Sequence, residues 1–126
     1  MSQASTSHLK NDLYHAILHN DLDTTRNLIL DLPECIDPDL IEIPVAHDCL
    51  EMTMLLLENG LEPCTDSFDT LLKNVVKNNS IGMAHLLFSY GVYPSVRLFH
   101  QMVYKLKENN SVELLNVVLA NKPLYI

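Results

Sequence analysis

Hydrophobic positions in this chain fall in short runs that are interrupted at regular intervals by Asn, Asp and Gly. The clearest run, residues 78–93 (NNSIGMAHLLFSYGVY), reads as a turn, a helix and a helix stop. Much the same pattern precedes it at residues 48–62 (DCLEMTMLLLENGLE) and follows it at residues 109–122 (NNSVELLNVVLANK). Leu50, Ile81 and Val112 occupy equivalent points, 31 residues apart at each step. A fixed period of this size marks a stacked-repeat architecture.

Taken in order, residues 1–7 (MSQASTS) are small and polar and are expected to form a flexible tail. A first helix is predicted over residues 8–19, with Leu9, Leu13, Ala16 and Ile17 on one face. A second runs over residues 22–32 through Leu22, Leu28 and Ile29, and Pro33 stops it. Residues 32–44 carry three prolines and form the least regular stretch. Asp37 and Pro38 can cap and start a short helix there, which Pro44 is expected to break within two turns. Helical spacing returns at residues 50–59, 70–77, 81–89, 101–108 and 112–120. Gly60 and Gly91 suit the left-handed residue after a helix, and Pro63 and Pro94 block continuation. The tight turns align on Asn20, Asp48, Asn79 and Asn110, the residue types that best tolerate a left-handed backbone. Asp21, Ser80 and Ser111 follow and can cap the next helix. The sequons Asn78-Asn79-Ser80 and Asn109-Asn110-Ser111 are therefore read as turn-plus-cap devices, not glycosylation sites.

Composition narrows the class. With 126 residues, 48% hydrophobic content, 3 Gly and no Trp, the chain suits a single, mostly helical domain. A net charge of −8 without a basic stripe argues against nucleic acid and anionic membrane as direct partners. The longest apolar runs fall well short of the ~20 residues that span a bilayer, and no signal-peptide pattern opens the sequence. Cys35, Cys49 and Cys64 have no metal-ligand spacing and are read as free thiols of a cytoplasmic or nuclear protein.

The repeat resembles the ankyrin family. Glu51, Leu55-Leu56-Leu57, Glu58-Asn59 and Gly60 match the second half of that family's pattern, as do Leu86-Leu87-Phe88 and Gly91. Thr70-Leu71-Leu72 with Val75-Val76 stands at the first-helix motif, and Leu13-Tyr14-His15-Ala16 does so earlier. Four degenerate units follow, at about 8–32, 33–60, 61–91 and 92–126. The period is 31 where the family's is about 33, so the loops are shortened. The resemblance implies an all-α solenoid of stacked helix-turn-helix repeats. It also implies a non-catalytic protein-binding scaffold or adaptor whose loops and first helices face the partner.

Candidate chemistry is sparse. His15 and His19 are spaced for one helix face but lack further ligands, so no metal and no cofactor is expected. His47-Asp48-Cys49 combines relay residue types, yet neighbours in sequence cannot form a relay. Asp37, Asp39 and Glu42 lack calcium-loop spacing, and the glycines do not cluster into a phosphate loop. Met52 and Met83 fall on core positions, whereas Arg26, Met54, His85 and Asn116 form an exposed row.

Two stretches are candidate contact surfaces. Phe68 and Phe99 lie 31 apart, each just before a predicted first helix and beside Asp66, Asp69, Arg97 and His100. They either staple their loops or, with Tyr104, form a partner-binding rim in which aromatic and Arg anchors dominate. The acidic balance favours a basic or mixed-charge partner segment there. The second stretch is the last helix, apolar on nearly every side, where Leu115, Val118 and Leu119 form an expected docking or homo-oligomer face. The apolar end at Leu124, Tyr125 and Ile126 folds back as a lid, continues into further chain, or docks another molecule.

Overall fold

In the computed structural model, the backbone is described for residues 3–31 and 36–123, and side chains for 8–31 and 36–123. The three alternatives for residues 124–126 and the free-thiol reading of Cys35 fall outside the described residues. Every regular element among the described residues is helical, and none is a strand. The chain divides into two compact units at the Glu62–Pro63 junction. The junction follows the Gly60 helix stop.

The first unit contains α1 (Gln3–Leu18), α2 (Leu22–Asp31), a 3-10 turn (Pro38–Ile41), α3 (Glu42–Ala46) and α4 (Leu50–Glu58). Helix α1 thus begins inside the stretch expected as a tail. Pro44 does not break its helix either. It lies in the first turn of α3, where a backbone N–H has no intrahelical partner to lose, and it is buried. The Asp37 carboxylate accepts the Asp39 N–H at 3.0 Å and starts the segment. The second unit contains a 3-10 turn (Thr65–Ser67), α5 (Phe68–Asn78), α6 (Ile81–Ser89), α7 (Val96–Glu108) and α8 (Val112–Ala120). In each unit two helical hairpins pack first helix on first helix and second on second: α1 on α3 and α2 on α4, then α5 on α7 and α6 on α8.

All four hairpin turns close in the same way. Asn20, Asp48, Asn79 and Asn110 have φ of 55°, 57°, 49° and 57°, the only non-glycine residues with positive φ among those described. At each turn, the N–H of this residue bonds three residues back and the next N–H bonds five back. Examples are Asn79 to Val76 and Ser80 to Val75, both at 3.1 Å. This is a Schellman closure, which uses the carbonyls left free at a helix end. Gly60 and Gly91 repeat it after α4 and α6, with φ of 97° and 84°. There Leu61 and Val92 turn back into the core, and their N–H groups reach Leu56 and Leu87. Leu56, Leu87 and Val118, at matching points of α4, α6 and α8, are fully buried. Each such burial contributes about 2 kcal/mol.

The helix starts are less uniform. Asp21 accepts the Thr24 N–H at 3.1 Å and Ser80 accepts that of Met83 at 3.3 Å. Ser111 makes no such bond, contrary to the expected cap, although its Asn-Asn-Ser context is the same. Helices α5 and α7 begin earlier than residues 70 and 101. Ser95 starts α7 by accepting the Leu98 N–H at 3.1 Å, so residues 96–100, read as loop, are helical.

Candidate partner-binding face

The early start of α7 decides which of the expected contact residues come together. Leu98, Phe99, Met102 and Leu106 form its buried stripe. Arg97, His100 and Tyr104, at helical offsets of three and seven, share the opposite, exposed face. Tyr104 is 68% exposed, a large aromatic left in solvent by its own helix.

Phe99 is corrected by the same geometry. At 5% exposure its ring belongs to the core, where it packs edge-on to His100 at a centroid distance of 5.8 Å. A helix beginning at Val96 turns Phe99 inward with Met102 and Leu106, so it presents nothing to a partner. Phe68, half-buried, is the first residue of α5 and not part of a loop ahead of it. Asp69 is a structural tie: one carboxylate oxygen accepts the Ser95 N–H at 2.9 Å and the other accepts the Ser95 hydroxyl at 2.7 Å. It thereby links α5 to the residue just before α7. Asp66 lies exposed on the 3-10 turn.

The last helix divides similarly. Val118, expected on a docking face, is fully buried together with Leu114. Leu115 is half-buried. The exposed apolar side chains are Leu119 and Val112, at 37% and 62%. Arg26, Met54, His85 and Asn116 are all exposed, and Met52 and Met83 are buried.

Charge is distributed in a way that the net value conceals. Residues 1–62 hold two basic and twelve acidic side chains, a net of −10, whereas residues 63–126 hold six and four, a net of +2. The α7 face therefore sits on the weakly basic unit. Counting each half separately would have found this in the sequence. A groove of about 310 Å³ runs between α5 and α7, lined by Lys73, Val76, Lys77, Leu98, Met102 and Lys105 among others. The first unit has a larger groove of about 860 Å³. Among the described residues its titratable lining is Lys10, Tyr14, Asp37 and Glu62.

No catalytic constellation gathers elsewhere among the described residues. His47 ends α3 with Nδ1 2.9 Å from the Ile43 carbonyl, and Asp48 is spent on the left-handed turn. The Cys49 thiol faces the His47 carbonyl, not its ring. Cys49 and Cys64 are free thiols. Among the described residues no three His, Cys, Asp or Glu side chains group as metal ligands, and no helix is long and apolar enough to cross a membrane. Asp21 has its pKa lowered by hydrogen bonds from the Thr24 hydroxyl and N–H, which favour the carboxylate.

The chain matches no family model, no curated protein and no solved structure.

Proposed function

We propose that this chain is a non-catalytic protein-binding module, an ankyrin-like scaffold or adaptor of four helix-turn-helix repeats. It engages a protein partner through the exposed face of first helices in residues 63–126. The observation that carries the reading is the row Arg97, His100 and Tyr104 on α7. It combines an exposed aromatic and an exposed guanidinium, the side chains that dominate interface energetics, on a helix anchored by its buried stripe. The recurring left-handed turn at Asn20, Asp48, Asn79 and Asn110 supports the repeat reading. The anchored helix limits the entropy lost on binding.

The test is affinity capture from a cell extract with mass spectrometry, followed by direct titration of the recovered partner. Arg97→Ala with Tyr104→Ala is expected to weaken that partner by about 10-fold or more, with the thermal unfolding midpoint unchanged. A partner that binds the double variant undiminished contradicts the reading. In the alternative reading, the last helix self-associates or docks another chain, favoured by the exposure of Val112 and Leu119. Light scattering separates the two: a dimer abolished by Leu119→Glu supports self-association, and a monomer at high concentration rejects it.

A further inference from the structure

We infer that the groove between α5 and α7 binds a short acidic peptide segment carrying an apolar side chain; this rests on the protein-binding reading and names the partner's chemistry. Lys73 and Lys77 are one turn apart on α5, and Lys105 lines the groove from α7. All three are exposed. Among the described residues none pairs with a carboxylate and no Asp or Glu lines the groove. In a chain with only eight basic residues against sixteen acidic ones, three unpaired lysines around one groove form a distinct local site. Its apolar lining, Val76 with buried Leu98 and Met102, suits a hydrophobic side chain between carboxylates.

Size and field limit the occupant. Leu98 to Lys105 spans about 10 Å along the helix at about 1.5 Å per residue, the length of three or four extended residues. A net charge of −8 disfavours a long polyanion such as a nucleic-acid strand, which would meet the whole chain's field. A short segment meets mainly the local lysines, since charges beyond about 10 Å are screened. At this groove the favoured segment is acidic, whereas the net charge suggests a basic or mixed-charge one at the rim from Asp66 to Tyr104.

The experiment is a fluorescence-anisotropy titration of the full chain with a labelled synthetic peptide of core Glu-Glu-Leu-Glu-Glu. Parallel titrations use its Gln-for-Glu counterpart and a labelled oligothymidylate. The acidic peptide is expected to bind at least about 10-fold more tightly than the Gln peptide at low salt, and about 10-fold less tightly when salt rises to about 0.2 M. Lys73→Glu with Lys77→Glu and Lys105→Glu should remove that preference while circular dichroism stays unchanged. If this variant misfolds, Lys→Gln at the three positions gives the same comparison. Equal binding of the two peptides, indifference to the lysine changes, or an oligothymidylate that binds as tightly as the acidic peptide overturns the inference. Should the peptide fail while a captured partner remains sensitive to Arg97→Ala and Tyr104→Ala, the acidic-segment assignment falls and the protein-binding reading stands.

Discussion

Asn109 and Asn110 are adjacent, chemically identical and both exposed, yet they should respond unequally to alanine. Asn109 has φ −85° and ψ −1°, a backbone open to any L-residue. Asn110 has φ 57° and closes the α7–α8 turn with N–H bonds of 3.2 Å from itself to Lys107 and 2.9 Å from Ser111 to Leu106. Neither side chain makes a hydrogen bond among the described residues, so side-chain contacts do not confound the comparison. An alanine in the left-handed region costs about 1–2 kcal/mol, part of which asparagine already bears. Asn110→Ala is therefore expected to lose about 1 kcal/mol, or about 0.5 M in the urea midpoint at an m-value of about 2 kcal/mol per M. Asn109→Ala should stay within about 0.5 kcal/mol, as should Asn110→Gly, because glycine accepts the conformation freely. Urea unfolding followed by circular dichroism in the helical band reads all three. Equal losses for the two alanine variants, or a silent Asn110→Ala, would refute the claim that backbone conformation selects these residues.

Phe99→Ala is expected to cost about 3–4 kcal/mol by opening a cavity, against less than about 0.5 for Tyr104→Ala; chemical denaturation distinguishes them. Ser95→Ala removes the α7 cap and the hydroxyl bond to Asp69 and should lose about 1–2 kcal/mol by the same assay. Asp21 is ionised more readily in the fold than in the unfolded chain. Its contribution is thus present above the ordinary carboxylate pKa and lost as pH falls through the lowered value. Asp21→Ala should accordingly be less stable than the parent near neutral pH, with the difference narrowing in acid; a constant difference across that range would reject the assignment.

The hairpin turns were legible because a left-handed residue restricts side-chain choice, and Asn or Asp stands at each such point. Helix bodies were legible through their apolar spacing. Starts were harder, since a cap depends on partners distant in sequence. Ser95 is held by Asp69, 26 residues earlier, and this tie is absent from any local pattern. Missing that start left Phe99 open between a loop staple and a partner rim, when it lies in the buried stripe of α7. Ser111 shows the opposite error, a local signature whose hydroxyl makes no capping bond in place. Burial on α8 followed the same logic: a helix apolar on most sides does not itself say that Val118 turns inward and Val112 outward. The basic groove was hidden because one net charge averaged two unlike halves.

The most direct test of the central claim is a heteronuclear NMR titration of the isotope-labelled chain with a partner recovered by affinity capture. Shift changes are expected to concentrate along α7 from Arg97 to Lys105 and at Lys73 and Lys77 on α5, with the turns at Asn20 and Asp48 unmoved. Changes concentrated on α8 around Val112 and Leu119, or in the groove of the first unit around Tyr14 and Asp37, would contradict it.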